Sequence, residues 1–530
     1  MRLIGLVLVW MVSVGIPVRA QLLQQERFEI EQKSSDDAFT VISLKKEGLA
    51  LVRKLDKVND GKRTWQVLVV DTTMTRRQEP SLEINSRLQL IGYEYVPGKL
   101  FLLFRSEETN AYSNTFEILE LKLGQSVFNA YTAKLELNLR ITHFIVVGGN
   151  CVLGGYVNKE PVVVIFDTAA NKPKVLPGFF LSETELMDVK ANYNHTFNVL
   201  LVERGNREKK KLVVRTFDES GNLLVDDPVD IESDKHILSA LTSSLIRDEL
   251  LVVGTFSLGS SRMAAGIFSL VVDPFRDQAI HFRYFPEFQH IFDNLPPRRA
   301  NKLKSRAAQR IKYGRVPDYR TNIAPYRIEE TDKGFLVIAE MYNPITNMSS
   351  GPYFSNPYYP GYASPYYGGF YPYGFNPYMN RYYNSPYMYN NYSQQTAAVT
   401  MQQALLMFFD QDGRLDWDQA HPFVDMKMPA LEQASDFAYT NSRIIMLHKK
   451  DKLLAWRSGY LQEEFSLEST EPIKLKNDSD VLRTEDASEG AVRHWYGNTF
   501  FVWGYQHIKN PQDEDDRNRN VFYINKVTGN

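Results

Sequence analysis

The chain holds 530 residues, with 61 Lys and Arg against 63 Asp and Glu, and it carries 30 tyrosines but a single cysteine, Cys151. A formal charge of −2 leaves no global basic field of the kind that draws a protein to nucleic acid. One thiol excludes an intramolecular disulfide framework and any zinc site built on several thiolates, while 43% hydrophobic and 23% charged residues suit a globular core.

Residues 1–20 read as a secretory signal. Arg2 precedes an almost unbroken apolar run from Leu3 to Ile16, and Val18-Arg19-Ala20 places small residues at the −3 and −1 positions of a cleavage site before Gln21. That run is too short for a transmembrane anchor, and no later stretch is long enough, so the expected product is exported and carries no membrane-spanning segment. An exported chain with one cysteine fits a bacterial periplasm or cell surface better than a disulfide-stapled module.

From Phe39 onward a cycle recurs at a period of about 50 residues. A short apolar strand, such as Phe39-Thr-Val-Ile-Ser-Leu44 or Thr142-His-Phe-Ile-Val-Val147, leads through a turn to a second. The second strands begin near Leu49, Leu100, Val152, Phe197, Leu250, Phe335, Ile444 and Phe500. A third strand follows each, as in Trp65–Val70 and Leu212–Phe217, rich in β-branched and aromatic residues. Several third strands end in aspartate. Two open similar turns, Asp218-Glu-Ser-Gly221 and Asp410-Gln-Asp-Gly413, in which the carboxylate caps the turn and glycine supplies a positive φ. Outer strands are expected at Leu82-Glu-Ile84, Leu135-Glu-Leu137 and Val229-Asp-Ile231. Four antiparallel strands in about 50 residues, cycled eight times, specify an all-β chain folded as one β-propeller, with seven blades as the alternative count. The last unit stops after its third strand, Val521–Ile524, whereas Phe28-Glu-Ile30 stands ahead of the first unit; these are expected to share one sheet, so that 21–530 forms one closed ring.

This pattern resembles secreted bacterial β-propeller repeat proteins of unassigned function. The resemblance is one of architecture: a regular WD dipeptide, a kelch double glycine and an Asp-box run are all missing.

Two insertions interrupt the rhythm. The first, 275–323, contains Phe282-Arg-Tyr-Phe285 and, after Pro296-Pro297, a basic helical segment. Leu303, Ala307 and Ile311 form a narrow apolar stripe. Nine basic residues and one acidic residue, Asp318, lie between 298 and 320. Arg298, Arg299, Lys302, Lys304, Arg306 and Arg310 are therefore candidates for docking an anionic partner, set against a plain solvated helix. The second, 342–400, is a Tyr/Pro/Asn/Gly-rich low-complexity loop: residues 342–394 hold 15 of the 30 tyrosines, and Arg381 is their only charge. Tyr358, Tyr359, Tyr366, Tyr367, Tyr382 and Tyr383 are candidate adhesive contacts through aromatic faces and phenol hydroxyls, set against a tolerated surface expansion.

Motifs that carry catalysis are not apparent. Nine histidines are scattered, with no H-x-H, HExxH or i,i+4 pair, which leaves a metal site without sequence support. Asp410, Asp412 and Asp416 begin like a calcium loop but lack its later oxygens and terminal Glu, so a hairpin turn is expected. Asp513-Glu-Asp-Asp516 reads as a solvated loop, and Cys151 as a packed core thiol. No catalytic residue, metal ligand or cofactor is assigned. The expectation is a non-catalytic binding or scaffolding propeller, monomeric or part of a complex, whose loops and insertions engage an envelope protein or glycan; peripheral membrane contact is compatible and nucleic acid is not. The alternative is a propeller enzyme acting on glycans, a hydrolase or lyase, with acidic residues at the central channel.

Overall fold

The computed structural model describes residues 22–529 apart from 34–35, 107–113, 126, 206–209, 246–248, 260, 274–277, 346–397, 430, 487–488 and 513–517. The described chain forms eight antiparallel sheets, the blades of one β-propeller, and a single α-helix, α1 (Pro297–Lys312). Blade four shows the plain pattern: Thr184–Ala191, Thr196–Glu203, Lys210–Asp218 and Leu223–Ile231 pair in that order from the axis outward. Second and third strands are buried on both faces, as in Leu250–Leu258, which is why they read as continuous apolar runs rather than alternating ones. Eight hydrophobic clusters result, one at each seam between neighbouring blades. The one between blades eight and one gathers Phe39, Leu49, Trp495, Phe501, Trp503 and Phe522.

The last sheet draws on both ends of the described chain. Leu22–Glu31 pairs with Asn518–Gly529, running from Leu22 opposite Gly529 to Glu31 opposite Val521. Arg27 secures it, lying 4.3 Å over the Tyr523 ring and donating to Asn525 Oδ1 at 3.0 Å. Gln24 reaches the neighbouring blade, donating to Glu471 Oε1 at 2.8 Å.

Innermost strands share a device that periodicity does not reveal. Six of them carry a register shift, falling between Leu90 and Gly92, Ile141 and His143, Leu186 and Asp188, Ile237 and Ser239, Pro325 and Arg327, and His494 and Tyr496. A bulge adds local twist and re-aims the following side chains. Backbone approaches closely there: a Cβ on Gly155 would sit 2.1 Å from Arg140 O, and one on Gly254 1.9 Å from Ser239 O. Only glycine fits these two positions.

The aspartate turns form as expected. Asp218 Oδ1 accepts the N–H groups of Ser220 and Asn222 at 2.9 and 2.8 Å, and Asp410 Oδ1 those of Asp412 and Arg414 at 3.0 and 2.7 Å. Gly221 and Gly413 take φ of +80° and +77°. Two strand assignments change. The outer strand of blade two is Phe128–Lys134, with Leu135 just beyond it, and Phe282-Arg-Tyr284 belongs to the outer strand of blade five (His281–Tyr284) rather than to an insertion. Both segments are apolar enough to serve as either edge or connector, and the ladder decides.

Candidate partner-binding surface and central channel

Helix α1 sits on an apolar plug at the seam between blades five and six. Its Ala300 and Leu303 pack among Phe285, Phe288, Ile291, Phe292 and Tyr319, and Ala307, on the same face, is buried. The buried stripe therefore runs i, i+3, i+7 from Ala300, and Ile311, expected to complete it, is 43% exposed. The plug lies under the N-terminal part of the helix only, and the last turn projects past it. The six basic candidates divide. Lys304 donates to Gln289 O at 2.7 Å, Arg306 pairs with Asp318, and Arg310 donates to Val316 O at 2.8 Å, so these three brace the helix and the loop after it. Arg298, Arg299 and Lys302 are exposed and make no ion pair among the described residues. Arg298 and Lys302, four apart, share one helical face. The six candidate tyrosines, Tyr358, Tyr359, Tyr366, Tyr367, Tyr382 and Tyr383, lie outside the described residues; strands of blade six lead to that segment at Ile345 and resume at Ala398.

Around the axis the innermost strands and the turn at Lys45–Glu47 present charged groups that act on one another across the ring. Glu94 of blade two is half-buried; desolvation pushes its carboxyl up to about 7, against the pull of Lys190 in blade four and Lys45 in blade one. Glu432, between blades six and seven, is likewise raised to about 7 by desolvation, against Arg493. Tyr93 beside them rises to about 12 for the same first reason. A second charged group spans blades six to eight. Arg327 Nη2 is 3.0 Å from Asp436 Oδ1, Arg327 Nη1 is 2.9 Å from Glu329 Oε2, and the guanidinium lies 4.0 Å over the Phe437 ring. Arg327 Nη1 also donates to His494 Nδ1 at 3.0 Å, while His494 Nε2 donates to Gly497 O at 2.8 Å. Desolvation first, then Arg327, lowers that imidazole to about 4 and keeps it neutral. Burial opposes ionisation of Asp436, yet Arg327 and the His494 N–H hold its carboxyl below the usual carboxylate range. Lys45, desolvated and facing Arg327, is lowered.

A third polar group was hidden in the sequence. His421 on the outer strand of blade six (Leu415–Pro422) and His448 on the second strand of blade seven (Arg443–Lys450) are both buried. Their rings lie 4.5 Å apart, edge to face, and His421 Nε2 is 3.1 Å from Glu468 Oε2. Among the described residues this is the one group of three whose ligand atoms could hold a metal ion. Cys151 is buried, and desolvation drives its thiol well above the usual range, the state of a core side chain. No helix among the described residues is long and apolar enough to cross a membrane.

Comparison with known proteins adds likenesses of fold. No protein-family model matches the chain. No curated protein matches it either. A solved prolyl endopeptidase structure aligns over 91% of this chain at 8% identity and a TM-score of 0.38, and the chain spans about half of it, 54%. The β-propeller domain of the Trilobed protease from Pyrococcus furiosus aligns over 86% of this chain and 98% of its own length, at 10% identity and a TM-score of 0.35. A Lactobacillus plantarum protein aligns over 78% and 94%, at 9% and 0.37. The chain is an eight-bladed β-propeller. That statement rests on its own eight sheets and eight seams.

Proposed function

We propose that this propeller is a non-catalytic binding and scaffolding module of a bacterial envelope or exterior, which holds an anionic protein or glycan at the face bearing α1. The observation that supports this reading is the division of labour on α1. Three of its cations are spent on bracing the helix against the loops on either side of it, whereas Arg298, Arg299 and Lys302 stay exposed on a helix seated on the apolar plug. A fixed array of unspent cations holds an anionic surface without first ordering it. The Tyr-rich segment at 346–397 adds adhesive contacts in this reading, and export rests on residues 1–20. The test is retention of the purified chain on phosphorylated or sulfated glycan and on acidic envelope proteins, captured by crosslinking in the native host. The triple variant Arg298→Ser, Arg299→Ser, Lys302→Ser should lose that retention and keep the wild-type melting temperature. Equal retention would defeat the proposal. Export is checked separately: the mature protein should begin at Gln21.

A second reading has its own observation. Desolvation raises the Glu94 and Glu432 carboxyls, among the charged groups around the axis, to about 7, the range that a general acid in a glycan hydrolase or lyase requires. In that reading Glu94→Gln or Glu432→Gln abolishes cleavage of a polysaccharide that the wild type degrades.

A further inference from the structure

The seam between blades six and seven buries two imidazoles side by side, each with one ring nitrogen unmatched. His421 is 0% and His448 1% exposed. Nδ1 of each ring is sealed from solvent and has no hydrogen-bond partner among the described residues. Leaving such nitrogens unmatched in an apolar seam costs on the order of 1–3 kcal/mol each, so an arrangement that keeps two of them calls for a missing partner. The surroundings argue against an accidental gap. Phe423 packs against both rings, its centroid 5.0 Å from that of His448 and 6.4 Å from that of His421, and the strand pairing fixes both backbones, His421 opposite Ala404 and His448 opposite Ser435 and Ala455.

We propose that His421, His448 and Glu468 form a binding site for a divalent first-row transition metal, zinc foremost, that bridges blades six and seven. Two imidazoles and one carboxylate are a recognised zinc donor set. A tetrahedral zinc with bonds of about 2.0–2.1 Å holds its ligands roughly 3.3 Å apart. The edge from His421 Nε2 to Glu468 Oε2, a hydrogen bond that an ion between them would replace, is 3.1 Å, and one ligand atom from each of the three residues lies within 4.8 Å of the other two. Each imidazole in its neutral form keeps one ring lone pair, which a metal ion can take. Glu468 is exposed, so its side chain is free to close the remaining distance. Two cations oppose a bound ion. One is Lys450, and the other is Arg457, whose guanidinium is committed to Ser466 O at 2.9 Å and to Ala420 O. Three protein ligands leave one tetrahedral position for water or for a partner's side chain. The imidazoles come from different blades, so the ion also pins that seam.

The experiment uses the full chain without an affinity tag, stripped by chelator and titrated with Zn²⁺ by calorimetry and with Co²⁺ by visible absorption. The expected result is one ion per chain and an intense tetrahedral Co²⁺ spectrum. His421→Ala and His448→Ala should each weaken zinc binding by about a hundredfold or more and Glu468→Gln by about tenfold. Glu468 is exposed, so its variant stays folded even if the histidine variants do not, and it decides the matter in that case. Absence of stoichiometric binding by the wild type, an octahedral Co²⁺ spectrum, or Glu468→Gln and folded histidine variants that bind like wild type would overturn the site.

Discussion

Asp436 on the innermost strand of blade seven accepts the main-chain N–H of His494 in blade eight at 2.8 Å. Its other oxygen holds Arg327 of blade six, so one carboxylate ties three successive blades near the axis. The same device joins blades four and five, where Asp188 Oδ2 accepts the N–H and the hydroxyl of Thr242 at 2.8 and 3.0 Å. Glu340 joins blades six and seven, accepting the Ser435 N–H and hydroxyl, each at 2.7 Å. Apolar contacts between blades leave the angle between sheets adjustable. A buried carboxylate on the next blade's main chain fixes it.

Removing that carboxylate should be costly in proportion to what it strands. Asp436→Ala leaves the Arg327 guanidinium with only Glu329 as a charged partner, and a loss of about 3–4 kcal/mol is expected. Asp188→Ala strands neutral donors and should cost about 1–3 kcal/mol. Urea denaturation of both variants checks the order; equal losses would reject this account of Asp436.

The channel carboxyl Glu94 should leave its mark on the pH profile. Its folded value, about 7, lies above the ordinary unfolded one, so the folded chain keeps a proton that the unfolded chain releases between pH 4.5 and 7. This group therefore makes the wild type less stable as pH rises through that window, and adds no further change above it. Glu94→Gln should match the wild type near pH 4.5 and exceed it by about 1 kcal/mol at pH 8, after allowance for the solvent that reaches the channel. Melting curves at four or five pH values test it, and a pH-independent difference would sink it.

On helix α1 the two faces should separate stability from binding. Leu303→Ser and Ala307→Asp disturb the plug and should cost about 1–3 kcal/mol. Arg298→Ser and Lys302→Ser should stay within about 0.5 kcal/mol of wild type. Paired melts and retention assays distinguish them.

Cys151 should be silent to a thiol reagent in the folded protein and react fully once the chain is unfolded in guanidinium. It is buried in the cluster between blades two and three, and its thiolate is strongly disfavoured. Fast labelling of the native chain would contradict that placement.

Deleting 22–31 uncovers the edge of Asn518–Gly529 and removes Phe28 from the blade-eight core. A melting temperature lower by about 5 °C or more and self-association on gel filtration are expected.

The strand cycle was legible because doubly buried strands must be apolar throughout and their turns need Asp and Gly at fixed positions, as at Asp218–Gly221 and Asp410–Gly413. Turn chemistry is local, and local signals survive in sequence. The bulges were not legible: at Ile141–His143 the extra residue obeys no compositional rule and is fixed by the pairing of its neighbours with Gly155 and Gly154. Ile311 misled for a related reason. A helical stripe shows which residues share a face but not where the supporting surface ends. Among the candidate residues, the exposed cations on α1 could be found from charge density alone. His421, His448 and Glu468 could not, since they meet only when two blades pack, and no spacing along the chain encodes a seam.

Gln24 and Asn525 share a hydrogen bond although 501 residues separate them. A ribosome making this chain releases one of the ring's first strands long before its partner exists. Leu22–Glu31 must wait, edge exposed, through the synthesis of seven blades, and the longest-range contact is formed last. Late closure of this kind makes blade eight the natural point of failure during biogenesis, and the place where a chaperone that shields bare strands would have most to do.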